Sequence, residues 1–233
     1  MNILVLTTKT DHHLYFIYHI KKTFKDTFVI FEKKKIRFKF DTKHPYLKKR
    51  SLFEKKYFFK NRKVYFQGYK SFFDINQKSS IEYIKKINPS VIILFGVGLI
   101  KKKFLSNFKK KHIINLHGGD PEKYRGLDSM LWSLYHKDSS GLVSTLHYVD
   151  HRFDTGKIIY KKKINISNYL TIHSLRAINT KNCLYMTKKF LTRILLKKKV
   201  FSYKQRNIGR YYSAIPSKLI DISIKNLNKI KEK

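Results

Sequence analysis

Cysteine is almost absent from this 233-residue chain. Cys183 is the single one, which excludes an internal disulfide framework and a thiolate metal cluster, and fits a reducing cytoplasm. Alanine occurs only at Ala177 and Ala214, and 15 acidic residues face 52 basic ones, for a formal charge of +37. Such a charge raises nucleic acid or an anionic membrane surface as a partner, because clustered cations neutralise phosphates. Nine of the 52 basic residues are arginine, however, and the lysine triplets at 33–35, 101–103, 109–111 and 197–199 are scattered, not gathered into one stripe. With abundant Ile, Phe, Tyr and Asn, this reads more as compositional bias on solvated faces than as a binding surface. No apolar run reaches the length of a membrane span, and MNILVLTTKT lacks the charged start and cleavage site of an export signal. Without repeats or low-complexity linkers, and with 42% hydrophobic residues, the chain reads as one domain around one sizeable core.

The apolar run 2–7 has the character of a buried parallel strand, and Asp11 is placed to cap a helix from His12 to about Phe24 with Phe16, Ile20 and Phe24 on one face. The turn between them, Thr8-Lys9-Thr10, is not glycine-rich. His12, His13 and His19 fit solvent or substrate contacts better than a metal site. After a strand at 28–31, residues 32–77 are basic, aromatic and weakly periodic, and read as an insertion. Tyr57, Phe58, Phe59, Tyr65 and Phe66 are either a nucleotide-stacking surface or, the more ordinary reading, aromatics packed inward. Ser80 is placed to cap a helix that Pro89 stops, and 91–95 is a second buried strand leading into Gly96-Val97-Gly98-Leu99-Ile100.

The stretch 113–160 carries the chemistry. Asn115 and His117 alternate along an extended run and project to one side. Leu127, Met130, Leu131, Leu134 and Tyr135 then recur at helical spacing, and a strand at 142–149 leads to Asp154-Thr155-Gly156. Asparagine, histidine and aspartate at strand ends suit acyl transfer to an amine. Singly, each has a plainer reading as an end cap, a core histidine or a turn former, and His147 reads as a strand residue steadying the loop.

The order N-x-H, Y-R-G, helix, then H-x-V-x-x-x-x-D-T-G-x-I-I resembles the folate-dependent formyltransferases, the family of methionyl-tRNA and glycinamide-ribonucleotide formyltransferases, and within it most nearly the amino-sugar N-formyltransferases. The likeness is carried by residues 91–160. It implies an α/β fold, a Rossmann-like domain with a mostly parallel sheet over 1–197, followed by a short C-terminal extension, 198–233. It implies catalysis by Asn115, His117 and Asp154, and 10-formyltetrahydrofolate as formyl donor, with no metal. The folate is implied to lie between Gly96, Val97, Gly98, Leu99 and Ile100 on one side and Val149, Asp150 and Phe153 on the other, loops pictured at the C-terminal ends of adjacent strands. Tyr124, Arg125 and Gly126 are implied to border the acceptor.

Many family members read H-P-S-L-L-P where this chain reads His117-Gly118-Gly119-Asp120-Pro121-Glu122, so acceptor specificity does not carry over directly. The glycine-rich phosphate turn and an appended tRNA-gripping domain are both missing from the sequence, which favours a nucleotide-linked 4-amino-4,6-dideoxy sugar as acceptor. A shortened methionyl-tRNA formyltransferase using its charge to hold tRNA, and a non-enzymatic basic RNA-binding protein, are the alternatives. The folate isomer, the sugar and a homodimer stay open. The sequence further predicts a strand over 157–166, a long helix from Thr171 to about Lys197 and a last helix from Ser217.

Overall fold

The computed structural model describes residues 1–62 and 67–232. Tyr65 and Phe66, candidates for a stacking surface, lie outside the described residues. Seven strands form the main sheet: β1 (Ile3–Thr7), β2 (Thr27–Glu32), β3 (Tyr69–Phe72), β4 (Val91–Phe95), β5 (His112–His117), β7 (Val143–Tyr148) and β8 (Ile158–Lys163). Their order is β3-β2-β1-β4-β5-β7-β8. The ladders from β3 to β5 are parallel, whereas β7 and β8 run antiparallel.

The near-continuous apolar runs of β1 and β4 reflect burial on both faces. Ile3, Val5 and Ile93 point into a core with Phe16, Ile17 and Ile20 of α1 (Asp11–Thr23) and Met186, Phe190 and Leu191 of α6 (Leu175–Leu195). The alternating Leu4, Leu6, Ile92 and Leu94 face the other way, onto Ile81, Ile84 and Ile87 of α3 (Lys78–Ile87) and Phe104 of α4 (Lys102–Asn107).

Several local expectations shift. Asp11 does not cap α1. It lies in the first turn, and Thr10, with extended backbone, occupies the cap position with its hydroxyl 3.0 Å from Nδ1 of both His12 and His13. Ser80 is inside α3, and Asn88, left-handed, ends that helix before Pro89. Leu127 precedes α5 (Ser129–Tyr135). Thr171 and Ser174 exchange side-chain and main-chain hydrogen bonds, a reciprocal capping turn that leads into α6. Residues 32–77 are not a detached insertion. They contain α2 (Pro45–Phe59), tied to α6 through Glu54 and Arg176, and β3, which extends the main sheet along β2.

The C-terminal segment is likewise built in. Its β9 (Arg210–Tyr212) pairs in parallel with β6 (Tyr124–Gly126), and α7 (Ser217–Lys231) sends Ile220 and Leu227 into a third apolar cluster with Leu131 and Leu134 of α5. Inside that cluster Ser223 and Asn226 of α7 donate to the α5 carbonyls of Leu131 and Leu134, tying the two helices together by polar contacts. No described helix is long and apolar enough to cross a membrane. Leu227→Ala, at a position 2% exposed, is expected to cost about 2–5 kcal/mol. Urea unfolding followed by circular dichroism should show one shifted transition; an early, separate melting of the tail would show that α7 is not part of the core.

Candidate active site

Strand β5 sets the site because its two-residue repeat turns Asn115 and His117 to one side and Leu116 to the other, into the α1–α6 core. The antiparallel partner β7 puts His147 directly opposite Asn115, beside an irregularity in its ladder with β8. Beyond β7 the chain turns back. Asp150 accepts from the Thr155 hydroxyl at 2.6 and 2.7 Å, and Gln205 Nε2 donates to the carbonyls of Asp154 and Gly156 at 2.7 and 2.9 Å. Asp154 itself is left-handed, with φ 54°, a conformation aspartate tolerates better than most residues.

Four groups converge on the Asp154 carboxylate, which is only 8% exposed. Oδ1 accepts from Asn115 Nδ2 at 3.0 Å and lies 3.3 Å from His147 Nε2. Oδ2 accepts from the Gly126 N–H at 2.8 Å and lies 3.6 Å from His117 Nδ1. Burial by itself would raise this carboxyl. The His117 and His147 rings and the Gly126 amide outweigh it and hold Asp154 well below the usual carboxylate range.

The far nitrogen of each ring faces a carbonyl: His117 Nε2 is 2.8 Å from Tyr124 O, and His147 Nδ1 is 2.7 Å from Tyr148 O. A carbonyl only accepts, so those nitrogens carry the hydrogen, and a second proton on either ring would face Asp154. Asn115 Nδ2 also lies 3.1 Å from His147 Nε2. The Asn115 amide is thus turned onto Asp154 and His147. The donors suited to an oxyanion are turned inward onto the carboxylate, an arrangement that a ligand must open.

This cluster lies in the wall of a cavity of about 400 Å³. All eight residues of the two implied folate loops, Gly96 to Ile100 and Val149, Asp150 and Phe153, line it too. The strands they leave are not adjacent, because β5 lies between β4 and β7 and β7 runs antiparallel. The second loop reaches the cavity only by turning back towards Asp154. The two glycines of the first loop also differ. Gly96 has φ +74°, and a Cβ there would meet the His13 ring at 2.5 Å, whereas a Cβ on Gly98 would touch only Glu32 at 3.6 Å. No described group bonds the main chain of Val97, so a flat ring with alternating donors and acceptors has backbone to meet there. Glu32, 7% exposed, already holds the Gly98 N–H at 2.8 Å and the Ile75 N–H at 3.2 Å, which fixes the loop.

Of the three residues expected at the acceptor, Gly126 lines the cavity and Tyr124 and Arg125 do not. Tyr124 is buried against Asp138. Arg125 donates from Nε to the Gly209 carbonyl and from Nη1 to the Phe153 carbonyl, so it joins the C-terminal segment to the Asp154 loop. Sequence reasoning overlooked Glu32, Arg50, Arg176, Asn179, Gln205 and Tyr211. In a chain with 15 acidic residues, a glutamate ending an apolar strand was the signal that could have found Glu32. Gln205 lay in a segment without periodicity and gave none. The described residues contain no group of three side chains able to hold a metal ion.

A family model described as formyl transferase matches residues 1–182. The methionyl-tRNA formyltransferase of Finegoldia magna is 34% identical over 103 residues, 44% of this chain and 33% of that protein, so the chain matches about a third of the relative's length. A sugar N-formyltransferase from a Shewanella species superposes with a TM-score of 0.64 at 14% identity, covering 97% of this chain and 87% of that one. The formyltransferase PseJ of Anoxybacillus kamchatkensis, solved with UDP-4,6-dideoxy-4-formamido-L-AltNAc and tetrahydrofolate, superposes with a TM-score of 0.56 at 19% identity over 91% of this chain and 86% of its own.

The buried carboxylate predicts an acid sensitivity. Because Asp154 is depressed in the folded state, its contribution is present above the unfolded value, about 4, and is lost as the pH falls through the folded value. The stability advantage of the natural protein over Asp154→Asn, measured by urea unfolding, should therefore shrink steadily below about pH 4. A constant difference between about pH 6 and pH 3 would remove the ionised hub.

Proposed function

We propose a reaction from one premise: the chain belongs to the formyl transferase family. It moves a formyl group from 10-formyltetrahydrofolate to the amino group of a nucleotide-linked 4-amino-4,6-dideoxy sugar. The observation that carries this reading is the convergence of Asn115, His117 and His147 on Asp154, in the wall of the cavity that the 96–100 and 149–153 loops also line. The likeness to a fold solved with a nucleotide formamido-sugar and tetrahydrofolate supports the choice of acceptor and donor.

The acceptor amine attacks the formyl carbon, the bond from that carbon to the folate nitrogen breaks, and the proton shed by the amine ends on the departing nitrogen. Asn115 exchanges its contact with His147 for one to the formyl oxygen, where charge develops. Once a ligand opens the cluster, His117 turns its Nδ1 edge from Asp154 toward the same oxygen, and Asp154 orders the water that carries the proton. Gly96 to Ile100 and Val149 to Phe153 hold the folate from two sides. A methionyl-tRNA acceptor is the second reading, favoured by the Finegoldia magna likeness and the charge of +37.

Incubation with formyltetrahydrofolate and a panel of nucleotide amino sugars, with transfer read by mass, tests the assignment; faster formylation of charged initiator tRNA than of every sugar would replace the first reading by the second. Asn115→Ala, His117→Ala and Asp154→Asn should each slow transfer by roughly 10²-fold or more. The double variant His117→Ala with Asp154→Asn should be little worse than the poorer single if they act as a unit. Near-normal turnover of folded Asp154→Asn would reduce the D-T-G loop to a structural turn.

A further inference from the structure

The turn after β1, Thr8-Lys9-Thr10, holds no glycine, and Arg125 does not line the cavity. Three other arginines line the cavity: Arg152, exposed in the 149–153 loop, Arg50 from α2 and Arg176 from the first turn of α6. Arg176 is fixed by Glu54, 1% exposed, which accepts from Nε at 2.7 Å and Nη2 at 2.6 Å. That bidentate pair leaves Nη1 with no partner among the described residues. Arg50 lies 5.1 Å over the Tyr46 ring, with Nη1 3.4 Å from the Tyr46 hydroxyl, and its buried Nε meets no acceptor. A buried guanidinium donor without an acceptor is costly unless a ligand supplies one.

Three carboxylates neighbour this corner, Glu54, Asp128 and Asp11. Glu54 is spent on Arg176, and Asp128 Oδ2 accepts from the Ile215 N–H. Asp11, in the same neighbourhood, is raised chiefly by burial. His12 and His13, their rings tilted at 42° with centroids 3.9 Å apart and both lining the cavity, are held neutral by burial and by the Arg176 charge, so they offer hydrogen bonds without adding charge. The corner shares one cavity with Asn115 and Asp154.

We infer that Arg50 and Arg176 form an anion subsite that takes the diphosphate of the acceptor nucleotide, with Tyr46 and His12 beside it. The assignment rests on the nucleotide-sugar reading above. Charge-assisted bonds from guanidinium to phosphate are short and strong, and Arg176, preset by Glu54, loses little freedom in making one.

The test uses the whole chain with UDP, dTDP and inorganic pyrophosphate as probes in calorimetry, and tetrahydrofolate as control ligand. Arg50→Gln should weaken both nucleoside diphosphates by roughly 10- to 100-fold and leave tetrahydrofolate binding unchanged. Arg50→Lys should recover part of the loss. If Arg50→Gln does not fold, Arg50→Lys and Arg176→Lys carry the test, each expected to weaken the probes through the lost fork geometry. Undiminished binding by the folded variants, or no binding of either nucleoside diphosphate by the natural protein, overturns the subsite. So does an RNA hairpin that binds through Arg50 when the nucleotides do not. Arg50-dependent nucleotide binding without formyl transfer to any amino sugar would leave the subsite standing and the reaction refuted, whereas transfer with an acceptor KM indifferent to Arg50 would do the reverse.

Discussion

The arrangement depends on keeping one carboxylate charged inside the protein. An isolated buried charge is costly by several kcal/mol, so Asp154 requires polar partners on every side, and the chain supplies four of them from three strands. Asn115 comes from β5, His147 from β7, the Gly126 N–H from β6, and His117 from the end of β5. Each of these is secured in turn by an element outside the site. Gly126 is in the β6–β9 pair, whose second strand belongs to the C-terminal segment, and the Asp154 and Gly156 carbonyls are gripped by Gln205 from that same segment. The tail, residues 198–233, therefore supports the hub through β9 and Gln205.

The reach of sequence reasoning follows from the range of the forces involved. Two-residue alternation and apolar runs are local, so β1, β4, β5 and the shared side of Asn115 and His117 could be read directly, as could α7 from Ser217. Spacing joined Asp154 to that pair, and the structure brings Asn115 Nδ2 to 3.0 Å and His117 Nδ1 to 3.6 Å from its carboxylate. Strand order was not local. Nothing in the residues at 142–149 announces that β7 runs antiparallel to β5, and that reversal is why the second loop must turn back to reach the cavity. Arg125 illustrates the same limit. Its type and position suit a phosphate, yet its Nε and Nη1 go to two carbonyls, one 84 residues away.

The weak periodicity of residues 32–77 has a comparable cause. Helix α2 buries little beyond Tyr46 and Glu54, so its apolar face is too short to show in the pattern, and β3 is an edge strand whose residues are half or fully exposed. Here the informative residue was polar. A glutamate in mid-helix gives no sequence signal by itself, but 1% exposure makes it a buried charge that must have a partner, and the partner is Arg176, 122 residues on.

Charge composition and site chemistry separate along the same line. Lysines dominate the +37 and are mostly solvated, where a flexible ammonium needs no fixed geometry. Guanidinium is used where a planar fork is required: Arg176 against Glu54, Arg125 between two carbonyls, Arg193 with two nitrogens on the Lys199 carbonyl. Arg50 is the member of this set whose fork is left incomplete, with a buried Nε and no acceptor. In a chain that makes its surface charge from lysine, an arginine held over an aromatic ring in a cavity wall is not explained by net charge. Its geometry calls for an anion that enters with a ligand, in the same cavity that exposes Asn115 and Asp154.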